Sequence, residues 1–559
     1  MRREEPADFV GTYPIWLLDL HYAGTVYRIA TEPVNVDDGT GLILSYVGGL
    51  AAPELTEQLQ LSATDVPNRT ASMAVVLPES VADLRAAGHS LLYATAELFL
   101  TFCSEDARRL QVAESKLAHP DLWYQISGGI SAPVWGVPGE PPGFLEFTLR
   151  QNPWTDRRPV VRPDLVIDSS RFSGALSVPG PPPEDADGKI MPLVLGAPGI
   201  ATAPGSPVYA LERDGAGKAN QLLIALGRVN SATCQVFDQS GNKETRDVQV
   251  IEDRHNTPVS FVVPTTSGLS RTDEQFYATW PDTAASGFGQ GLENPVRAAA
   301  YLFALSALEV DLPAWLAASE YFSSMKIGGY VNDDSTAWDV ASTHLLPLVP
   351  LSYRFTRQGL TPVIYDPELR AGQEGFYVDV IDTPDAAGAG DWSPVGGVEL
   401  VTEPEDVPNQ ITIRYALDIR SNSYRRSRTW LSDVSAAAQP DGNPRREGPE
   451  SLSLYLDQAQ TRSDLLASKE ITASFLYDDA TADQILAWRS RLDTMARERT
   501  TYRAPWHYGA LQVGDVGRVT DSGKSWSEEF VLITSRTWEG DSWVFEVVKF
   551  EDPLTQTRP

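Results

Sequence analysis

The chain has 559 residues but only two cysteines, Cys103 and Cys234. Two thiols cannot build a disulfide framework, a four-cysteine zinc site or an iron–sulfur cluster, so we expect both to be small buried hydrophobic residues. Cationic residues are also scarce, since 45 Lys and Arg stand against 75 Asp and Glu and give a formal net charge of -30. Proteins that bind nucleic acid neutralise its phosphates with Lys and Arg. Specific nucleic-acid binding is therefore disfavoured, although an acidic wall suits a passage through which DNA moves without adhering.

Motifs for catalysis are missing as well. The six histidines show neither metalloprotease spacing nor a neighbouring nucleophile elbow, and they are His21, His89, His119, His255, His344 and His507. The string GAGK at 215–218 lacks the first glycine of a phosphate loop and the hydroxyl residue after its lysine. We assign no catalytic residue, no metal ligand and no cofactor, and we predict that the protein is not an enzyme.

Long apolar runs are absent too. No run of about 18 or more apolar residues predicts a membrane span. The first 16 residues contain acidic residues and prolines where a secretory signal needs an apolar core. We expect a soluble protein made in a cytoplasm.

Alternation of apolar and polar residues is the clearest positive signal. In the stretch from Asn409 to Ile419, one side of an extended strand would carry Ile411, Ile413, Tyr415, Leu417 and Ile419. The other side would carry Thr412, Arg414, Ala416 and Asp418. Such alternation predicts a half-buried antiparallel strand.

Helices are predicted where capping residues precede apolar segments. A short helix is predicted over Ser80 to Ala87, and another from near Ser335 that carries Trp338 and Leu345. Further helix starts are indicated by Asn294 before Pro295, by Asp311 before Pro313, and by a capping box of Thr481 and Gln484. After that box, an apolar stripe at helical spacing is formed by Ile485, Trp488, Leu492 and Met495.

Composition divides the chain into four parts. Proline and glycine cluster at 178–189, and such a cluster predicts a junction between domains. The prediction is a mainly β, multidomain protein with α+β parts: an N-terminal β domain over 1–185, a small β-rich domain over 186–293, a helical segment over 294–365, and a C-terminal β domain with one late helix over 366–559.

Two sets of residues are candidates for binding. The run YRRSR contains Arg425, Arg426 and Arg428, which we predict to contact another protein, although a solvated loop would explain the same run. Most of the 14 tryptophans lie in apolar periodic segments typical of a core. Four lie in polar or proline-containing stretches and are candidates for exposed contacts: Trp154, Trp392, Trp506 and Trp526.

Four segments carry a resemblance to a known family: LDLHYAGTVYRIATEPV near the start, GKIMPLVLGAPG at the junction, NQITIRYALDI, and the closing run from Ala482 through LQVGDVGRVTD to FEVVKFEDP. Taken in this order, they resemble the baseplate hub, or tail hub, of tailed bacteriophages and related tail-like particles. The resemblance covers most of the chain and is strongest over the last 200 or so residues.

This resemblance implies a structural virion protein of the tail tip, assembled in the host cytoplasm. Such a hub is a homotrimer that joins the tail tube or distal tail ring to a central fibre or spike and encloses the tail channel. Residues 1–185 and 366–559 would form two β-barrel-like hub domains. The implied partners are the other two copies, distal tail or tail tube proteins, the tape measure protein and the central fibre or spike.

Two other functions remain open at this stage. A carbohydrate-binding or carbohydrate-active surface protein would account for the tryptophans and the acidic residues. A receptor-binding tail fibre is the other, but fibres tend to contain repetitive shafts, which this sequence lacks.

Overall fold

The structure is a computed structural model. It describes residues 12–37, 42–59, 69–104, 123–150, 159–162, 164–172, 182–214, 216–227, 233–253, 256–265, 269–279, 292–306, 309–370, 372–380, 392–401, 408, 410–431, 468–493 and 497–550.

Strands dominate the described residues. Numbered along the chain, they are β1 (Thr12–Tyr22), β2 (Thr25–Ala30), β3 (Val34–Asp37), β4 (Ile43–Gly48), β5 (Glu54–Gln58), β6 (Arg69–Val76), β7 (Thr95–Ser104), β8 (Trp123–Trp135), β9 (Phe144–Arg150), β10 (Leu193–Gly196), β11 (Gly199–Ile200), β12 (Ala203–Pro204), β13 (Ser206–Arg213), β14 (Ala219–Leu226), β15 (Thr233–Phe237), β16 (Lys243–Asp247), β17 (Gln249–Glu252), β18 (Pro258–Val262), β19 (Phe276–Thr279), β20 (Gly328–Val331), β21 (Leu351–Thr356), β22 (Gly359–Ile364), β23 (Phe376–Asp379), β24 (Ser393–Pro394), β25 (Glu399–Leu400), β26 (Gln410–Asp418), β27 (Ser423–Leu431), β28 (Ser468–Thr472), β29 (Glu498–Pro505), β30 (Val516–Asp521), β31 (Trp526–Glu539) and β32 (Ser542–Lys549).

Among the residues that the structure describes, the α-helices are few and mostly short. They are α1 (Val81–Ala86), α2 (Ser169–Phe172), α3 (Pro295–Leu305), α4 (Leu312–Glu320), α5 (Ala337–Val340), α6 (Pro367–Arg370) and α7 (Asp479–Asp493). Helix α5 continues through a π-helical turn over Ala341–Leu345 and a 3-10 turn over Leu346–Leu348. The mainly β character predicted from the sequence is confirmed.

The predicted caps of the middle helices are confirmed. The side chain of Asn294 accepts hydrogen bonds from the backbone N–H groups of the first turn of α3, and Asp311 does the same for α4. Ser80 caps α1, and Thr336 forms a reciprocal capping box at the start of α5. Each polar side chain satisfies N–H groups that have no partner within the helix.

The predicted start of the late helix is wrong. Helix α7 begins at Asp479, and the Asp478 carboxylate accepts from the backbone N and the hydroxyl of Thr481, at 2.8 and 2.7 Å. The carboxylate, placed before the first turn, serves as the cap in place of Thr481. The apolar stripe is confirmed for Ile485, Trp488 and Leu492, which are buried, while Met495 lies outside the described residues.

The described chain divides into two compact units. Unit 1 comprises residues 1–154, 351–401 and 497–559, and unit 2 comprises residues 155–350 and 402–496. The predicted boundaries at 185, 293 and 365 stay a prediction, because a division into two units does not establish which segments fold alone.

Unit 1 contains one large sheet built from both ends of its sequence. The strand order is β24-β29-β32-β31-β5-β6-β9-β8-β7-β1-β2-β4-β3, and β31 and β5 are antiparallel neighbours. Among the described strands this path is open, so the predicted barrel is not confirmed there. The core on which the two ends of the sequence meet includes Trp16, Trp538 and Trp543, whose ring centroids lie 5.0 to 6.1 Å apart.

A row of charges crosses three adjacent strands of this sheet. Arg536 on β31 is the cross-strand partner of Glu57 on β5, and Glu57 is the cross-strand partner of Arg69 on β6. The Nε of Arg536 donates to Glu57 Oε2 at 2.6 Å, and Arg69 Nε lies 3.7 Å from the same oxygen. All three residues are buried.

Unit 2 combines a second sheet with most of the described helices. Its larger sheet has the order β16-β15-β19-β13-β14-β10-β20, with β18 paired to β14 and β17. A smaller sheet has the order β27-β26-β28, and α7 packs against β26 and β27. Cys234, on β15, is buried, and burial raises the pKa of its thiol to about 12, as expected for a structural cysteine. The Cys103 side chain lies outside the described residues.

Strand β26 follows the predicted alternation only as far as Tyr415. Ile411, Ile413 and Tyr415 are fully buried, as predicted. Ala416 then adopts a φ of 57°, and its N–H donates to Leu476 O at 2.8 Å. Because Ala416 is left-handed, the residues after it point to the opposite faces of the sheet from those that simple alternation predicts.

The prediction that Leu417 and Ile419 face the core and Asp418 faces solvent is therefore wrong. Leu417 and Ile419 are half-buried, whereas Asp418 is buried. The buried Asp418 carboxylate pairs with Arg425, one of the candidate binding residues.

A candidate protein-contact site on strand β27

The arginine run lies on a strand and not in a loop. Strand β27 pairs antiparallel with β26, so that Arg426 faces Tyr415 and Arg428 faces Ile413 across the ladder. Residues 419–422 form the turn, with Asn422 at a φ of 48°, which an Asn side chain tolerates better than most. The solvated-loop interpretation of YRRSR is thus corrected, because these residues are part of a sheet. Among the described strands, β27 lies at the edge of that sheet.

Arg425 is tied to the interior by Asp418. Its Nη2 donates to Asp418 Oδ2 at 2.7 Å, and Arg420 Nη2 donates to the same oxygen at 3.0 Å. Burial alone would raise the pKa of Asp418, but the hydrogen bonds from Arg420 and Arg425 outweigh it and hold this pKa below its usual range. Arg425 is therefore part of a charge cluster that holds the turn.

Arg426 and Arg428 instead meet carboxylates of α7 near the surface. Arg426 Nη1 donates to Asp479 Oδ1 at 2.7 Å, and Arg428 lies 3.4 Å from Asp479 and 3.5 Å from Asp483. The Tyr415 hydroxyl donates to the same Asp479 oxygen at 2.7 Å. Burial would raise the pKa of Asp479, but these hydrogen bonds lower it overall, so the carboxylate stays ionised.

The three arginines differ in what they offer to a partner. Arg426 and Arg428 keep 41% and 32% of their side chains exposed beside partly exposed carboxylates. Such a pair contributes little to folding and can be rearranged on binding. Arg425 is also 46% exposed, but its partner Asp418 is only 1% exposed, so the pair cannot be separated cheaply. Arg426 and Arg428 are the better contact candidates.

Sequence reasoning did not identify the acidic partners of these arginines. The alternation of β26 predicts that Asp418 lies on the solvent side of its strand. Asp479 lies 53 positions beyond Arg426 in the sequence, and Asp483 lies further still. The one available signal was the spacing of four between Asp479 and Asp483, which places both on one face of a helix.

The candidate tryptophans are mostly not available for contacts. Trp392 is fully buried, and its ring stacks on Phe545 at 5.2 Å. Trp526 is 3% exposed, and its Nε1 donates to Glu498 at 3.0 Å. The prediction that these two are exposed is wrong, because polar neighbours in sequence do not decide which way a strand side chain points.

The other two tryptophans differ from this pair. Trp506 is half-buried and lies against Phe102 at a ring separation of 5.3 Å. Trp154 lies outside the described residues.

A cavity of about 210 Å³ opens beside the end of β26 in unit 2. Leu417 and Ile419 line it, together with His344 and Ser474, whose Nδ1 and Oγ lie 2.9 Å apart. Burial lowers the pKa of His344, and the charge of Asp333 opposes this shift only in part. The imidazole is therefore neutral at pH 7 and acts as a hydrogen-bond partner in the wall of the cavity.

The described residues offer no metal centre, because no three His, Cys, Asp or Glu side chains among them are grouped to hold an ion. Within the same residues, none of the helices is both long and apolar enough to cross a membrane.

Strand β27 lies in a segment that matches a protein family. Residues 403–531 match the family described as "Putative phage tail protein". Over this segment the chain is similar to phage tail proteins. The matched segment includes β26, β27 and α7, and thus all three arginines with their acidic partners. No curated protein sequence matches the chain.

Several solved structures also align with this one. A tail protein from Neisseria meningitidis MC58 aligns over 96% of both chains, with 9% identity and a TM-score of 0.37. The 43 kDa tail protein of prophage MuSo2 from Shewanella oneidensis aligns over 96% of this chain and 98% of its own, with 7% identity and a TM-score of 0.35. A chain of the virion of a native gene transfer agent aligns over 67% of this chain and 87% of its own, with 13% identity and a TM-score of 0.38.

Proposed function

We propose that this protein is the baseplate hub of a phage tail or tail-like particle. In this role it is a structural, non-enzymatic subunit that joins the tail tube or distal tail ring to the central fibre or spike and encloses the channel through which DNA passes. The observation that carries the proposal is the match of residues 403–531 to a phage tail protein family, over the segment that contains β27.

The proposed assembly is a homotrimer in the virion tail tip, built in the host cytoplasm. Its other partners would be distal tail or tail tube proteins, the tape measure protein and the fibre or spike. Three copies, each with a formal charge of -30, bring -90 into one ring. Repulsion between copies is reduced if cations such as Arg426 and Arg428 lie at contacts while acidic residues face solvent or the channel.

The carbohydrate-binding alternative loses support. It depended on exposed indole faces, and two of its four tryptophans, Trp392 and Trp526, are buried. The acidic surface alone does not favour a sugar ligand.

The mass of the purified protein in solution is the first test. A trimer supports the proposal, whereas a monomer that stays monomeric in the presence of a tail tube or distal tail protein contradicts it. Incubation with peptidoglycan and host polysaccharide tests the non-enzymatic role. Turnover that disappears when one carboxylate is replaced would refute that role.

The double substitution of Arg426→Glu and Arg428→Glu tests the contact site. We expect it to weaken the trimer or its attachment to the tail while the subunit still folds. Arg414→Glu is the matched control, because Arg414 lies on the adjacent strand, is 54% exposed and pairs with exposed Glu470 at 2.9 Å. Particles that assemble equally well with the double substitution and with the control would exclude β27 as a contact.

A further inference from the structure

The row of charges across β31, β5 and β6 is not balanced. Arg69 and Arg536 bring two positive charges to the single carboxylate of Glu57, and all three residues are at most 3% exposed. Arg354 and Asp515 form a neighbouring ion pair at 2.8 Å, and this pair has no net charge. Counted over the described residues, the row therefore carries one positive charge in excess in the interior of unit 1.

Several donors of the two guanidinium groups have no acceptor in the part of the chain that the structure describes. Arg536 donates through Nε to Glu57 and through Nη1 to Leu511 O at 2.8 Å, but its Nη2 is buried without an acceptor. Arg69 donates through Nη1 to Phe355 O, while its Nε and Nη2 are buried without one. The 3.7 Å separation of Arg69 Nε from Glu57 exceeds hydrogen-bonding distance.

Aromatic rings stabilise these cations but leave their N–H groups available. Arg69 lies over the ring of Tyr124 at 5.6 Å, and Arg536 lies over the ring of Trp543 at 5.1 Å. Each ring covers the face of a guanidinium, whereas the N–H groups lie in the guanidinium plane. The edges of both groups remain for a ligand.

We propose that a small monovalent anion, such as chloride, binds at the guanidinium edges of Arg69 and Arg536. Buried polar groups in native proteins are almost always paired with protein atoms, ordered water or an ion. Water would satisfy the donors but leave the excess charge in place, and an uncompensated buried charge is strongly destabilising. One monovalent anion satisfies the donors and also neutralises the row.

The proposal does not depend on the tail function. It predicts that a small anion stabilises the folded protein by mass action, because the site exists only when β31, β5 and β6 are paired.

The experiment is thermal unfolding of the full chain in sodium chloride, sodium bromide and sodium gluconate at equal ionic strength. We expect chloride and bromide to raise the unfolding temperature saturably, by about 2–3 °C at ten times the dissociation constant, relative to the bulky gluconate. Arg69→Met removes the excess charge and keeps the Glu57–Arg536 pair, so this variant should lose the halide effect.

Arg503→Met is the matched control, since Arg503 forms a surface ion pair with Glu539 in the same sheet and is 44% exposed. It should keep the full halide effect. Equal unfolding temperatures in chloride and gluconate, or an unchanged halide effect in Arg69→Met, would overturn the proposal. If Arg69→Met does not fold, bromide-soaked crystals of the unsubstituted protein decide. Anomalous density between the two guanidinium groups supports the anion, and its absence leaves water as the ligand.

Discussion

Glu57 and Arg536 are separated by 479 positions in the sequence, yet Arg536 Nε donates to Glu57 Oε2 at 2.6 Å across neighbouring strands. This contact lies on the junction of β5 and β31, where the N-terminal and C-terminal strands of unit 1 join into one sheet. Both side chains are buried, so water cannot solvate one charge when the other is removed.

Glu57→Leu should therefore destabilise unit 1 strongly, by about 3–5 kcal/mol, because it leaves two buried arginines without their carboxylate. Arg536→Leu should cost less, since Glu57 keeps Arg69 beside it. Equilibrium denaturation of both variants measures the difference, and the double variant gives the coupling between the two residues. Equal costs for the two single variants, with no coupling, would show that the pair does not hold the junction.

Ile413→Asp should destabilise unit 2 by several kcal/mol, about 3–5, whereas Thr412→Asp should cost about 1 kcal/mol or less. Ile413 is fully buried, and Thr412 is half-buried with its hydroxyl 3.1 Å from that of Thr429. Thermal unfolding of the two variants provides the comparison. Similar losses at both positions would mean that β26 is buried on two sides.

Arg425→Glu should destabilise the subunit by about 2–3 kcal/mol, because it places a second carboxylate beside buried Asp418. Arg426→Glu should cost no more than about 1 kcal/mol, since both members of its ion pair are more than 40% exposed. Denaturant midpoints of the two variants test this ranking. The reverse ranking would place the buried charge at Asp479 and not at Asp418.

Acid should destabilise unit 1 through His507. Burial lowers the pKa of this imidazole from about 6.5 to about 4, so the folded state binds fewer protons than the unfolded state between these values. Its contribution is complete above pH 6.5 and is lost as the pH falls toward 4. The ring is half-buried, so the slope should stay below about 1.4 kcal/mol per pH unit.

Unfolding free energies measured from pH 7 to pH 4 provide the test. The slope should be shallower in His507→Gln than in the unsubstituted protein. His21→Gln, at an exposed position of the same unit, is the control and should keep the original slope. If His507→Gln has no effect on the slope, other groups govern the acid sensitivity.

Local features of this fold could be predicted from the sequence because their causes are local. Two helix starts are indicated by Asn294 before Pro295 and by Asp311 before Pro313, because the cap hydrogen bonds span only two or three residues. The alternation from Ile411 to Tyr415 likewise reflects a strand with one buried face.

Other features depend on contacts that no local pattern encodes. The left-handed conformation of Ala416 is accompanied by a hydrogen bond to Leu476, 60 positions away, and with it Asp418 turns inward. Trp392 is buried because Phe376, Tyr502 and Phe545 from distant strands surround it. The arginine run was recognisable, but the distinction between Arg425 and Arg426 required the positions of their carboxylates.

The junction of β5 and β31 also has a kinetic consequence. During synthesis, β5 leaves the ribosome long before β31 exists, so its edge stays without a native partner while nearly 480 further residues are added. At about 5–20 residues per second this interval lasts on the order of half a minute or more. Residues 155–350 and 402–496 are complete before that, so unit 2 can fold first. The large sheet of unit 1 is then completed last, because it requires β31. Until β31 is made, the unpaired edge of β5 is a place where other strands can pair wrongly.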